Sequence, residues 1–183
     1  MIALTEKEFK GILIIMGVCG CGKSRVGGDL AAKLGVRFIE GDDFHPAANR
    51  AKMAAGQPLD DEDRWPWLDR LAGELASAVE AGQGAVLACS SLKRRYRDRL
   101  RSGAGQAVFV HLDGARAVIA ERLGSRQGHF MAPSLLDSQL AALEPLQADE
   151  AHVIVRVEDP VEIAVAGLVA RFGGDNEAAI KTA

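Results

Sequence analysis

Ile12-Leu13-Ile14-Ile15-Met16-Gly17-Val18-Cys19-Gly20-Cys21-Gly22-Lys23-Ser24 is the stretch whose reading decides the fold. The apolar, partly β-branched run Ile12 to Met16 reads as a buried strand, and Gly17 to Ser24 complete a G-x-x-x-x-G-K-S phosphate loop. The glycines let the backbone turn its N–H groups inward, and the helix starting at Lys23 aims its positive end at the same point. A phosphate group fits that geometry, so Gly17, Gly20, Cys21, Gly22, Lys23 and Ser24 form a candidate site for a nucleoside triphosphate. Lys23 is placed to reach the β- and γ-phosphates as a point charge, and the Ser24 hydroxyl to sit on a magnesium ion bridging them. A glycine-rich turn without a ligand is the competing reading. The strand before the loop and the helix after it argue against that.

Outward from the loop, the first helix (Lys23 to Leu34) is closed by Gly35, and Val36 to Glu40 reads as a second strand ending at Gly41-Asp42-Asp43. In open parallel sheets ligands bind beyond the carboxyl ends of the strands, so Asp42 and Asp43 point to the crevice of the phosphate loop. His45 to Ala55 is a short helix with Pro46 in its first turn, and Asp60 to Arg64 reads as an acidic loop. Trp65 to Ala81 is a helix, with Leu68, Leu71, Leu75, Ala78 and Val79 at helical spacing, and Ala85 to Cys89 a third strand.

Ser90-Ser91-Leu92 leaves that strand's end, and Lys93 to Arg101 packs six basic residues into nine positions. On a helix Leu92, Tyr96 and Leu100 share one face and Lys93, Arg97 and Arg101 the next; a solvated basic face is the default, with Lys93 and Arg97 excepted by their nearness to the strand end. Val108 to Leu112 is a fourth strand, Ala115 to Leu123 and Ser134 to Leu143 are helices, and His152 to Val157 is a fifth strand before a last helix, Val161 to Phe172. A connection carrying Arg126 and His129 joins the fifth and sixth helical runs. Residues 122–133 suit a lid whose Arg122 and Arg126, four apart, reach the nucleotide from above. Residues 173–183 read as a fraying polar tail. Five strands with continuous apolar runs, alternating with helices, predict an α/β fold: a doubly wound parallel sheet with helices on both faces, of the P-loop kinase type.

The chain has 183 residues, 48% of them hydrophobic and 26% charged, which suits one globular domain over 1–183. A net charge of −3 gives no general attraction to nucleic acid or to an anionic membrane, which leaves a small molecule as the expected partner. No stretch is apolar enough to span a bilayer, and Met1 to Lys10 hold no apolar h-region, so the expected compartment is the cytoplasm. The three thiols, Cys19, Cys21 and Cys89, do not make a disulfide framework, and no Cys or His cluster completes Cys19-Gly20-Cys21 into a metal site.

The phosphate loop is shared by several classes of protein. No N-K-x-D guanine motif is present, and the strand before Ser90 ends without the carboxylate that motor ATPases place there. The acid sits instead at Asp42, where a base facing a substrate hydroxyl belongs, with Asp43 next in line. Gly41-Asp42-x-x-His45-Pro46, Asn49, Lys52-Met53, Asp63-Arg64, Pro66-Trp67-Leu68, Cys89-Ser90-x-Leu92-Lys93-x-x-Tyr96-Arg97-Asp98, Gly128-His129-Phe130, Ser138-Gln139 and Leu143-Glu144-Pro145 then carry a resemblance. The chain resembles the gluconokinase family from Ile12 to about Phe172. That implies ATP-dependent, magnesium-assisted phosphorylation of D-gluconate at its 6-hydroxyl, in the fold shared with shikimate and nucleoside-monophosphate kinases, and a homodimer. Lys23, Asp42 and Arg126 become the catalytic candidates. Gluconate is an anion bearing a row of hydroxyls, so Lys52, Arg64, Lys93 and Arg97 are the candidate cations for it, and Asp42, His45, Ser90 and His129 its polar partners. Bland alternatives stand beside these: Arg64 paired with Asp61, His45 capping its helix, Asp42 holding a magnesium-bound water. A shikimate kinase, a nucleoside-monophosphate kinase and a noncatalytic nucleotide sensor remain the rival readings.

Overall fold

The computed structural model describes residues 9–124 and 133–173. The expected tail beyond 173 and, within the expected lid, Arg126 and His129 lie outside these residues.

The strand that opens the phosphate loop is β1 (Ile12–Met16), and it is buried along its whole length. Its side chains divide between two cores, as alternate residues of a strand must. Leu13 and Ile15 pack with Val26, Leu30, Leu168 and Phe172 on one face, and Ile12, Ile14 and Met16 with Leu68, Leu71, Leu75 and Leu100 on the other. Burial on both faces is why β1 carries no polar alternation.

The remaining elements in chain order are α1 (Lys23–Leu34), β2 (Arg37–Glu40), α2 (Ala47–Ala54), α3 (Asp61–Glu80), β3 (Ala85–Ala88), α4 (Arg94–Ala104), β4 (Ala107–Asp113), α5 (Arg116–Gly124), α6 (Pro133–Ala142), β5 (His152–Arg156) and α7 (Val161–Phe172). The sheet runs β2-β3-β1-β4-β5 with every pairing parallel. Ile15 sits level with Ala88, and Ala88 with Glu40, so the carboxyl ends of β1, β3 and β2 emerge side by side. The phosphate loop, Ser90 and Asp42 follow directly from those three ends, the position at which open α/β sheets bind ligands.

Two expectations are corrected. The acidic stretch Asp60 to Arg64 is not a loop: Asp60 caps α3 and the helix begins at Asp61. Asp60 accepts a hydrogen bond from the Asp63 N–H at 2.8 Å while Asp63 accepts one from the Asp60 N–H at 3.1 Å, a closed capping box. Pro66 therefore lies inside the helix rather than at its start. Pro66 and Glu62 are both exposed, so the carbonyl deprived of its N–H partner by the proline faces water. Val79, expected on the apolar face, is 46% exposed, whereas Leu68, Leu71 and Leu75 are fully buried.

α3 and α4 cover the second face of the sheet. Their contact is close because Gly103 lies against the Ala72 carbonyl; an added Cβ would stand 2.0 Å from that oxygen.

Candidate active site

The phosphate loop has positive φ at Gly17, Gly20 and Gly22 (139°, 79° and 101°), a conformation that L side chains rarely adopt. At Gly20 space adds a second requirement, because a Cβ there would come within 2.5 Å of the Leu123 side chain. Neighbouring strands and loops anchor the turn: Gly17 N–H donates to the Ser90 carbonyl at 3.3 Å and Cys21 N–H to the Val18 carbonyl at 3.4 Å. Lys23 Nζ donates to the same Val18 carbonyl at 3.0 Å, which folds the ammonium over the loop.

Asp42 reaches the site through a short 3-10 turn, Gly41–Phe44, that leaves β2. The chain can cross the end of β3 there only because residue 41 is glycine; a Cβ would lie 2.3 Å from the Ala88 carbonyl. Trp67 of α3 fixes the turn by donating from Nε1 to the Gly41 carbonyl at 2.7 Å. Its ring stacks on His45, with centroids 4.1 Å apart and planes 17° from parallel. His45 is 3% exposed. Burial, with the nearby Arg64 and Arg50 charges and despite Asp42, pushes its pKa down to about 4, so the imidazole is neutral at pH 7.

These parts enclose one cleft of about 350 Å³. Cys19, Gly20, Gly22, Lys23 and Ser24 form its phosphate-loop wall, Glu40, Asp42 and His45 the wall from β2, and Ser90, Arg64, Leu59 and Gln139 belong to the rest of its lining. A second cavity of about 300 Å³ shares Pro58, Leu59, Arg64, Leu135 and Gln139 with the first and adds Asp61, Lys93, Tyr96 and Ser138. Phosphate-binding and acceptor-sized spaces are thus adjacent, with Asp42 in the phosphate cleft and Arg64 common to both.

The candidate cations separate clearly. Arg64 lies over the Tyr96 ring, 5.7 Å from its centroid, and has no carboxylate partner among the described residues. Asp61, the partner suggested for it, instead accepts from the Tyr96 hydroxyl and from Lys93 Nζ at 2.9 Å, and also pairs with Arg95. Those contacts, Tyr96 first, hold the Asp61 carboxyl down at about 2, while burial and the Asp61 bond push Tyr96 up to about 12. Lys93 therefore stands at the rim of the second cavity already tied to an acid. Lys52 lines neither cavity: its Nζ sits 2.6 and 2.7 Å from the two Asp63 oxygens, joining α2 to the cap of α3.

Arg97, expected at the substrate pocket, is buried in the protein interior. Arg97 and Glu150 have completely buried side chains and pair at 2.6 Å and 3.0 Å through two parallel bonds. Burial alone would raise the Glu150 carboxyl, but Arg97, the Gln147 N–H and Arg94 outweigh it and the net direction is down. The remaining guanidinium hydrogens go to the carbonyls of Ser91, Leu92, Glu144 and Pro145. Arg122, expected at the nucleotide, donates to the Val157 carbonyl just past β5 and lines neither cavity.

Glu40 and Gln139 also line the cleft, and neither is a candidate from the sequence. Glu40 had a signal, its place at a strand's carboxyl end; Gln139 meets the loop only through the tertiary fold. Ser24 is exposed in the cleft and presents an oxygen, the donor type magnesium takes. No cluster of three His, Cys, Asp or Glu side chains suited to a metal occurs among the described residues.

Residues 19–167 match the model of the shikimate kinase family. A gluconokinase of Gluconobacter oxydans is 46% identical over 164 residues, covering 90% of this chain and 92% of its own. Among solved structures, a gluconokinase from Sinorhizobium meliloti superposes with a TM-score of 0.80 at 45% identity, covering 91% of this chain and 95% of its own. The chain belongs to the gluconokinase family. A sugar kinase from a Janibacter species is similar to it as well, with a TM-score of 0.84 at 43% identity over 88% of this chain and 93% of its own. Membership in the gluconokinase family makes the protein a kinase, and its fold that of the shikimate-kinase-like P-loop kinases. No helix among the described residues is long and apolar enough to cross a membrane.

Proposed function

We propose that the protein transfers the γ-phosphoryl group of ATP to the 6-hydroxyl of D-gluconate, giving 6-phosphogluconate and ADP. The observation that carries this reading is the adjacency of two cavities that share Arg64, one walled by the phosphate loop and Asp42, the other lined by Lys93 and Tyr96. The gluconokinase relatives supply the acceptor's identity.

In this mechanism Lys23 leaves the Val18 carbonyl for the β- and γ-phosphates, and the loop N–H groups cradle them. Ser24 is the residue that would hold magnesium, which when bound neutralises charge across the same phosphates. Asp42 accepts the proton of the attacking hydroxyl. Arg64, without a carboxylate of its own among the described residues, binds the sugar-acid carboxylate, and neutral His45 offers a nitrogen to a hydroxyl in the first cleft. Ser90 and Lys93 complete the polyol pocket. Arg126 and His129 belong to this proposal by resemblance alone, as do lid closure over 122–133, a homodimer and a cytoplasmic location.

The test is ADP release with magnesium-ATP against gluconate, shikimate and nucleoside monophosphates in parallel. Turnover selective for gluconate supports the assignment. Turnover selective for shikimate would transfer it to the activity whose family model the chain matches, and turnover with none would favour a noncatalytic nucleotide module.

A further inference from the structure

The phosphate loop is held from across the cleft by a side chain 120 residues away: Cys19 N–H donates to Gln139 Oε1 at 2.7 Å. Gln139 belongs to α6, and Leu135, Ser138 and Ala142 of the same helix line the second cavity. One helix therefore forms the acceptor wall and touches the nucleotide loop.

That helix is firmly mounted. Leu136 is 1% exposed in the core beside the loop. Just past its end, Glu144 N–H donates to the Leu92 carbonyl at 2.8 Å, and Arg97 donates to the Glu144 carbonyl at 3.1 Å. Leu92 follows Ser90, whose carbonyl accepts from Gly17 N–H at the other end of the loop. The contacts close a ring: loop, Ser90 turn, Glu144, α6, Gln139 and loop again. Within it the peptide at Cys19 is fixed at the point where the following residue, Gly20, turns to positive φ, and that turn sets the direction of the next N–H groups. A partner supplied from a mounted helix holds this arrangement better than one supplied from the loop itself.

We propose that Gln139 is a positioning residue for phosphoryl transfer: its carbonyl oxygen braces the phosphate loop against the helix that walls the acceptor cavity, so that nucleotide and acceptor are held in register. The bond requires an acceptor atom and not an amide as such. This separates bracing from mere filling of space.

The experiment compares wild type with Gln139→Met, which keeps the length but removes the acceptor, and Gln139→Glu, which keeps an acceptor. Hydrogen exchange at the Cys19 N–H and steady-state kinetics at saturating magnesium-ATP are both read. Gln139→Met is expected to lose exchange protection at Cys19 and to drop kcat by about tenfold to a hundredfold, with KM for gluconate within about threefold of wild type. Gln139→Glu is expected to restore the protection and most of kcat at saturating ATP, while its added charge beside the phosphates raises KM for ATP. Protection and kcat unchanged in Gln139→Met would overturn the proposal, as would a Gln139→Glu variant no better than Gln139→Met in both. The kinetic arm rests on the proposed gluconate phosphorylation, and the exchange arm does not. A wild type without gluconate turnover therefore counts against that function, while the brace is still judged by Cys19 exchange.

Discussion

Asp42 and His45 are three residues apart at the end of β2, yet their surroundings assign them opposite tasks. Asp42 is exposed and lines the cleft with the phosphate loop, where the proposed reaction needs its base. Asp42→Asn keeps the shape and removes the charge, and because phosphoryl transfer through a loose transition state needs little basicity early, kcat should fall about 10²- to 10⁴-fold and not to zero. ATP affinity, read by titration, should hardly change. A kcat within about tenfold of wild type would move the base to another residue, Asp43 first. His45 is buried against Trp67, and its pKa of about 4 lies below the ordinary 6.5. Because the folded-state value is the lower one, the stability it contributes is complete above pH 6.5 and is lost as the pH falls toward 4. Between pH 7 and 4.5 the wild type should lose on the order of 2 to 3 kcal/mol that a His45→Gln variant does not lose, measured by urea unfolding at both pH values.

At the scale of elements, the start of α3 both lines the cleft, through Arg64, and anchors the segments around it. Its capping box joins Asp60 to Asp63, and Asp63 also holds Lys52 and, through its carbonyl, the Asn49 amide at 2.7 Å. The start of α3 therefore anchors α2, and Trp67 six residues into the helix anchors the turn bearing Asp42. Asp60→Ala should cost about 1 kcal/mol in urea unfolding. It should also raise KM for gluconate more than it lowers kcat, because Pro58, Leu59 and Arg64 beside the cap line the second cavity, the proposed acceptor site. A stability loss with unchanged KM would confine the cap's role to folding. The cap had a visible signal, an acid at Asp60 and another three residues on, but the acidic run Asp60 to Arg64 reads equally as a solvated loop, which places the expected helix start at Trp65.

Over the whole molecule, the largest polar element of the interior is the Arg97–Glu150 pair, which ties α4 to the segment between α6 and β5. Removing one member leaves a buried charge without a partner, so Arg97→Met should destabilise the fold by about 3 to 5 kcal/mol in urea unfolding. Folded Arg97→Met protein should still bind gluconate within about tenfold of wild type, because Arg97 braces the site's mounting and does not line it. Specific loss of gluconate affinity at unchanged stability would return Arg97 to the pocket. What the sequence determined by itself was local: β1, the phosphate loop, α1 and α7 follow from apolar runs, glycines and helix stops within a few residues of each position, and their observed bounds are the expected ones. Asp42 was legible for the same reason, since a parallel strand's end marks the ligand side of the sheet. Which arginine lines the cleft was not legible. Arg64 and Arg97 have the same side chain near two adjacent strand ends, and only the fold brings Glu150 to one of them, 53 residues along the chain. Gln139 met Cys19 in the same way, across 120 residues. A charge or an amide is committed by the partner it finds after burial, and that partner is set by how the helices pack on the sheet, a long-range outcome that no local pattern of residues encodes.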